Sequence, residues 1–244
     1  MSSTTTVPKS VLVIGAGPTG LVGLRNLVER GAFERVELWE RRDDVGGVWY
    51  VPFSRRNEIK QIFKFFTRYL DEPEGANGTT KPKWPSPAYK GLIGNVLPEF
   101  LNFSEYPFPI PPTTPHQPFP SLVETYDYLR TFAAPYLKDG RIKLNREVIK
   151  VIENGEDKGW TVSYRDWNSD GMEVEEKWDA VAVAVGWYDH PVWPSTEGLE
   201  TLKAIGLAKH AKCYRGPVGY EGKVSGSLSN GVVYPDESWG RKCL

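Results

Sequence analysis

Residues 11–24 read VLVIGAGPTGLVGL, four apolar residues running into Gly15-x-Gly17-x-x-Gly20 and then into a second apolar run. Ser10 to Ile14 has the uninterrupted β-branched and aliphatic character of a parallel strand buried on both faces. From Thr19 to Arg30 the apolar positions are Leu21, Leu24, Leu27 and Val28, a helical spacing closed by Gly31. Val36 to Trp39 supplies a second strand. Strand, glycine turn, helix and strand within about thirty residues form the βαβ unit of a doubly wound sheet.

That context gives the glycines a physical task. Gly15 permits the tight turn, Gly17 lets the backbone approach a pyrophosphate, and Gly20 lets helix and strand pack closely. Ala16, Pro18 and Thr19 complete the turn, and the helix N-terminus favours the phosphate charge. Glu40 falls at the end of the next strand, about twenty residues on, where an acid would hold ribose hydroxyls. A carboxylate there would repel a 2′-phosphate, which disfavours NADP despite Arg41 and Arg42, and leaves FAD and NAD. Gly46 and Gly47 in ERRDDVGGVWY tip the choice to FAD, because a longer dinucleotide with a flavin end needs a second close backbone approach. Trp49 offers a flat apolar wall, although on residue type alone it is equally an ordinary core aromatic.

Composition narrows the remaining classes. The 244 residues carry a net charge of −1, and without a basic run this argues against a nucleic-acid or anionic-membrane surface. The opening MSSTTTVPKS lacks the apolar core of a secretory signal, and the longest apolar run, Ala180 to Trp187, is far too short for a transmembrane segment. Cys213 and Cys243 suggest no disulfide framework, and no spacing expected of a metal site occurs. The expectation is a soluble cytoplasmic protein.

Along the rest of the chain, Ser121 to Leu137 reads as a helix. Ile142 to Leu144, Glu147 to Glu153, Trp160 to Tyr164, Glu173 to Trp178 and Ala180 to Val185 read as strands, the last one buried and ending in Gly186. Pro52 to Pro120 is rich in proline, glycine and aromatics and shows little periodicity.

Four stretches, in order over residues 11–217, resemble the flavin-containing monooxygenases, the N,N-dimethylaniline monooxygenase-like group. GAGPTGL followed by WERRDDVGGVW resembles the family's FAD fingerprint. GLIGNVLPEFLNFSEYPFP is similar to its segment in which an asparagine faces the flavin. Ala184-Val185-Gly186-Trp187-Tyr188 is similar to its strand-end motif A-T-G-x-Y. GLAKHAKCYRGP resembles its motif F-x-G-x-x-x-H-x-x-x-Y, with Gly206, His210 and Tyr214 matching and Ala204 replacing the leading phenylalanine.

The resemblance implies an FAD domain interrupted by an inserted NADPH domain. NADPH would reduce the flavin, O2 would add to give a C4a-hydroperoxide, and one oxygen would pass to a soft nitrogen or sulfur nucleophile. By the same match, Asn95 is the catalytic residue near flavin C4a and the nicotinamide; without that match it reads as a turn-capping residue after Gly94. Val48, Trp49 and Gly94 become contacts to FAD, Val148 a backbone contact near the adenine, and Gly186 part of the cofactor edge. His210 is expected to be a hydrogen-bonded structural residue. Tyr214, where Baeyer–Villiger relatives carry tryptophan, favours heteroatom oxidation.

The family pattern would continue past YRGPVGYEGK into a second glycine fingerprint for NADPH, and no second GxGxxG occurs in this sequence. Residues 1–190 are therefore expected to be the N-terminal part of the FAD-binding domain, with an irregular insertion at about 51–83. Residues 191–223 would begin the NADPH domain, and 224–244 would be an aberrant or disordered tail. Val224-Ser225 can be encoded by GTA-AGT, a common intron donor, so a translated intron is one origin for the tail; VPFSRRNEIKQIFKFFTRY reads equally as intron or amphipathic insertion. The fold expected is α/β: a doubly wound, three-layer Rossmann-like FAD domain, incomplete, with the start of an NADPH-binding domain. The alternative to a working monooxygenase is a truncated, inactive FAD-binding fragment with poor FAD retention and solubility.

Overall fold

The computed structural model describes residues 8–51, 84–89, 91–109, 118–155, 158–187, 189–220, 222, 227–229 and 232–234. The expected insertion, but for Val51, lies outside these residues.

Strand β1 (Ser10–Ile14) lies between β2 (Arg35–Trp39) and β7 (Ala180–Val183), parallel to both, and β3 (Ile142–Lys143) extends the sheet beyond β2, giving the order β3-β2-β1-β7. Side chains alternate across a strand, so β1 feeds two cores. Val13 joins Val36, Leu38, Leu21 and Leu24 on one face; Leu12 and Ile14 join Trp39 on the other.

The first face is covered by α1 (Pro18–Arg30) and α3 (Leu122–Lys138), with Tyr128, Leu129, Phe132 and Ala133 of α3 in the same cluster as Leu21 and Leu24. Proline opens α1, where its missing N–H costs nothing, and Gly31 closes it in an extended rather than left-handed conformation. Helix α3 begins one residue later than the periodicity predicts, because Ser121 is its cap. The Ser121 hydroxyl accepts from the Glu124 amide while the Glu124 carboxylate accepts from Ser121 N–H at 2.8 Å. Ser121→Ala is expected to cost about 1 kcal/mol in urea unfolding by removing this reciprocal cap. A short helix, α2 (Pro98–Leu101), lies in the stretch without periodicity.

The second face departs from a sheet wound with helices on both sides. It is covered by an antiparallel meander, β4 (Arg146–Glu153), β5 (Trp160–Asp166) and β6 (Met172–Trp178), which contributes Val162, Tyr164 and Trp178 to the core. The Arg146 guanidinium lies 4.9 Å from the ring centres of both Trp39 and Tyr164, between the two sheets. Burial, with the hydrogen bond to Glu176, pushes the Tyr164 hydroxyl up to about 12. Only Asp179 separates β6 from β7, and its Oδ2 accepts from the Lys9 and Ser10 amides, each at 2.8 Å.

The expectation of a buried strand from Ala180 to Val185 is corrected. Strand β7 stops at Val183, and Val183 and Val185 are 67% and 62% exposed. Among the described residues β7 pairs with β1 alone, so it is an edge strand, and its apolar side chains lack the cover that continuous apolarity anticipates. Beyond it lie α4 (Leu199–Ala204) and a 3-10 turn at Ala211–Cys213. Within 224–244, β8 (Ser227–Ser229) pairs antiparallel with β9 (Val232–Tyr234). Among the described residues no helix is long and apolar enough to cross a membrane.

Candidate functional site

The glycine turn, Glu40 and the 184–186 segment follow the C-terminal ends of β1, β2 and β7, the edge at which open α/β sheets bind ligands. Gly15 has φ +103°, and its N–H donates to the Trp39 carbonyl at 2.8 Å, tying the turn to β2. A Cβ on Gly20 would come within 1.9 Å of the Gly15 carbonyl oxygen, so this glycine lets α1 close on the turn. Gly17 caps α1 with no side-chain hydrogen bond, leaving the first-turn amides oriented toward an incoming anion. Ala16 is fully buried, and Pro18 and Thr19 carry the chain into the helix.

The second glycine pair packs directly on the first turn. Gly46 N–H donates to the Ala16 carbonyl at 2.9 Å, and a Cβ on Gly47, at φ +58°, would lie 2.8 Å from Gly17 Cα. Two backbone segments free of side chains thus meet where a pyrophosphate would have to pass. This is the observation that tests the fit of a dinucleotide, and the residues fit.

Glu40 is 5% exposed. Its Oε2 accepts from Ala16 N–H at 2.8 Å and its Oε1 from Arg42 N–H at 3.0 Å, while its own N–H donates to the Lys143 carbonyl. A carboxylate has about four acceptor positions, so each oxygen keeps one for another donor. The adjacent arginines are both engaged elsewhere. Arg41 pairs with Asp189 at 2.9 Å, whereas Arg42, 9% exposed, donates to the carbonyls of Trp84 at 2.7 Å and Gly47 at 3.1 Å. Burial pulls the Arg42 guanidinium below its usual range, against the opposing pull of Glu40. Burial would raise Asp189, but the Arg41 bond and the nearby Lys212 outweigh it and hold that carboxyl below its usual range.

Gly47, Val48 and Trp49 form a 3-10 turn. Val48 is exposed, its carbonyl accepting from the Ser86 hydroxyl, and Trp49 packs on the helix-side core, the role of an ordinary core aromatic. Val148 is half-buried in β4 beside a bulge, two residues beyond Arg146, whose N–H donates to the Glu40 carbonyl at 2.8 Å. Gly186 is exposed at φ +76°, two residues past Ala184, which donates to the Ile14 carbonyl. Gly94 and Asn95 lie on a different segment: Gly94 N–H donates to the Pro120 carbonyl at 2.8 Å, and Asn95 is exposed next to it. The structure therefore brings Gly15, Ala16, Gly17, Gly20, Glu40 and Gly47 into direct contact and holds Gly94 and Asn95 through α3. Tyr188 lies outside the described residues.

His210 accepts from Lys212 N–H at 3.1 Å and caps the 3-10 turn, with the Trp193 ring edge-on to it. Tyr214 meets Tyr89 edge-on at 4.7 Å. Sequence reasoning missed Asp44, which is 2% exposed and tied to α3. The only signal for it was a carboxylate in a segment otherwise destined to be buried.

Residues 13–67 match the NAD(P)-binding Rossmann-like domain family. The chain is 32% identical over 234 residues to Flavin-containing monooxygenase FMO GS-OX-like 9 of Arabidopsis thaliana, covering 94% of this chain and 47% of that protein. It is 31% identical to FMO GS-OX-like 2 of the same plant, covering 93% and 46%. Among solved structures, S-allyl-L-cysteine S-oxygenase from Allium sativum superposes with a TM-score of 0.62 at 28% identity, covering 89% of this chain and 45% of that one. The chain thus spans about half the length of the curated relatives it matches. With the glycine turn, its acidic partner and the second glycine pair assembled at one edge of the sheet, the chain is similar over most of its length to about half of a flavin-containing monooxygenase.

Proposed function

We propose that this chain binds FAD, with the pyrophosphate against Gly15–Gly20, the adenosine ribose at Glu40, and the flavin end passing Gly47–Trp49 toward Gly94 and Asn95. The observation that carries the reading is the approach of Gly47 to Gly17, which removes side chains from both walls of the crossing point. The engagement of Arg41 and Arg42 supports FAD over a 2′-phosphorylated nucleotide at this turn. Val148 would offer backbone near the adenine, since Arg146, the first residue of β4, donates its N–H to the Glu40 carbonyl.

When bound, FAD would supply electron storage and oxygen activation, with NADPH as reductant and O2 as co-substrate. The chain's own residues bind, orient and exclude water: the α1 amides favour the phosphates, and Trp49 walls the flavin passage. The Asn95 amide, exposed at the head of its segment, would donate a hydrogen bond at the reactive edge. The substrate class is a small molecule with a soft nitrogen or sulfur nucleophile. The likeness to an S-oxygenase supports sulfur, and Tyr214 in place of tryptophan supports heteroatom oxidation of either kind.

A second reading, FAD binding without turnover, is favoured by one observation, the apolar edge of β7 with Val183 and Val185 exposed. The same experiment separates the two. The purified protein is titrated with FAD by flavin fluorescence, then supplied with NADPH and a thioether or tertiary amine. Substrate-dependent NADPH consumption with formation of the S- or N-oxide supports the first; FAD binding without it supports the second; absence of FAD binding refutes both.

A further inference from the structure

Asp44 carries its carboxylate almost fully out of solvent in the loop between Glu40 and the second glycine pair. Its Oδ1 accepts from Val45 N–H at 2.8 Å, and its Oδ2 accepts from the Tyr126 hydroxyl at 2.7 Å and from Arg130 Nε at 2.9 Å. Tyr126 and Arg130 are four residues apart on α3, on one face of the helix. The Asp44 bond and charge raise the Arg130 guanidinium above its usual range. A buried carboxylate is costly unless it is hydrogen-bonded and paired, and this one meets both conditions with groups of a single helix.

The same helix holds the segment bearing Asn95. Gly94 N–H donates to the Pro120 carbonyl at 2.8 Å, Leu122 N–H donates to the Leu92 carbonyl at 2.9 Å, and Ile93 bridges Ser121. These bonds gather at the capped N-terminus of α3, barely a turn and a half before Tyr126. The helix is consequently a bracket. Its N-terminus fixes the Gly94–Asn95 segment, and its second and third turns fix the loop that carries Gly46 and Gly47. The glycine turn itself is secured separately, by Ala16 N–H to the Glu40 carboxylate and Gly15 N–H to the Trp39 carbonyl, each at 2.8 Å.

We infer that Asp44 is a positioning residue which, through Tyr126 and Arg130, sets the spacing between the pyrophosphate turn and the Asn95 segment and so registers the flavin end of the cofactor. The inference rests on the FAD reading given above. It makes an asymmetric claim: the adenylate end is held by groups that do not depend on Asp44, whereas the flavin end spans both segments that Asp44 ties together.

The test compares FAD with ADP, which occupies the turn and the ribose site but has no flavin end, on the full chain. Asp44→Asn keeps the shape and removes the charge; Tyr126→Phe and Arg130→Lys are milder changes that retain the fold if Asp44→Asn does not. In at least one of these variants FAD affinity is expected to fall about tenfold, the scale of one lost hydrogen bond to a charged group, while ADP affinity stays within about twofold. The visible circular dichroism of bound flavin should change with it, a signature that a mere loss of global stability does not move. Equal losses for both ligands, or unchanged FAD affinity in folded variants, overturn the positioning role. A wild-type chain that binds ADP but gains nothing from the flavin end refutes the FAD reading itself, and this inference with it.

Discussion

Replacing Gly20 by alanine is expected to cost about 3 kcal/mol or more in stability and to abolish measurable FAD binding. The added methyl would sit 1.9 Å from the Gly15 carbonyl oxygen. Both atoms are fixed to main chain, so no rotamer change relieves the clash; α1 must lift off the turn, and its first amides move with it. Leu21 and Leu24, both fully buried on that helix, would be dragged out of the core. The control lies one turn along. Gly23 has no heavy atom within 4 Å of a built Cβ, and Gly23→Ala should stabilise by about 0.5–1 kcal/mol through helix propensity alone. Urea unfolding followed by tryptophan fluorescence, paired with flavin titration, reads both. Equal behaviour of the two variants would contradict the close approach of α1 and the turn.

Glu40→Ala should be nearly as damaging for a different reason. Removing the carboxylate leaves Ala16 N–H and Arg42 N–H without their acceptor, in a place only 5% exposed, and leaves the buried Arg42 guanidinium without the nearby negative charge that offsets its desolvation. Breaking such an arrangement from one side costs about 3 kcal/mol or more. Glu40→Gln keeps one oxygen but turns an NH2 toward the other donor, so about 1–2 kcal/mol is expected, with weaker FAD binding in both variants. A Glu40→Ala protein as stable as wild type would show that the carboxylate serves only the ligand.

The parallel sheet was legible in the sequence because burial on both faces writes a strand as an unbroken apolar run. Val11 to Ile14 could be little else once a glycine turn followed. Helix α3 was legible to within a residue from the spacing of Leu122, Tyr126, Leu129 and Phe132, whereas the Ser121–Glu124 cap that sets its start went unread. The strand β7 misled for the same reason that β1 did not: apolarity records what a segment is suited to be buried against, not whether that cover is present. The meander was read as separate strands, but its place on the second face depends on Trp39, Tyr164 and Trp178 meeting from three strands, which no local pattern announces. The β8–β9 pairing passed unread although Asn230-Gly231 stands between Ser229 and Val232, a dipeptide favoured in two-residue hairpins. At the site, the glycines and Glu40 declared themselves by spacing. Asp44 and Arg42 did not, because their importance comes from partners on α3 and at Trp84, remote in sequence.

Asp179 bears on the order in which the chain assembles. Ser10 and Asp179 are 169 residues apart, so joining β7 to β1 directly closes a very long loop. Loop-closure entropy makes such a contact slow to form, although the added cost is only about 0.6 kcal/mol per doubling of length. The meander β4–β5–β6 needs only neighbouring strands to pair, and its formation shortens the span still open. Because a single residue links β6 to β7, docking of the finished meander on Trp39 delivers Ala180 to the start of β1 already oriented, and the carboxylate of Asp179 latches it to the Lys9 and Ser10 amides. The fourth strand of the parallel sheet is thus expected to assemble by hand-over from a locally folded unit rather than by a search of the whole chain.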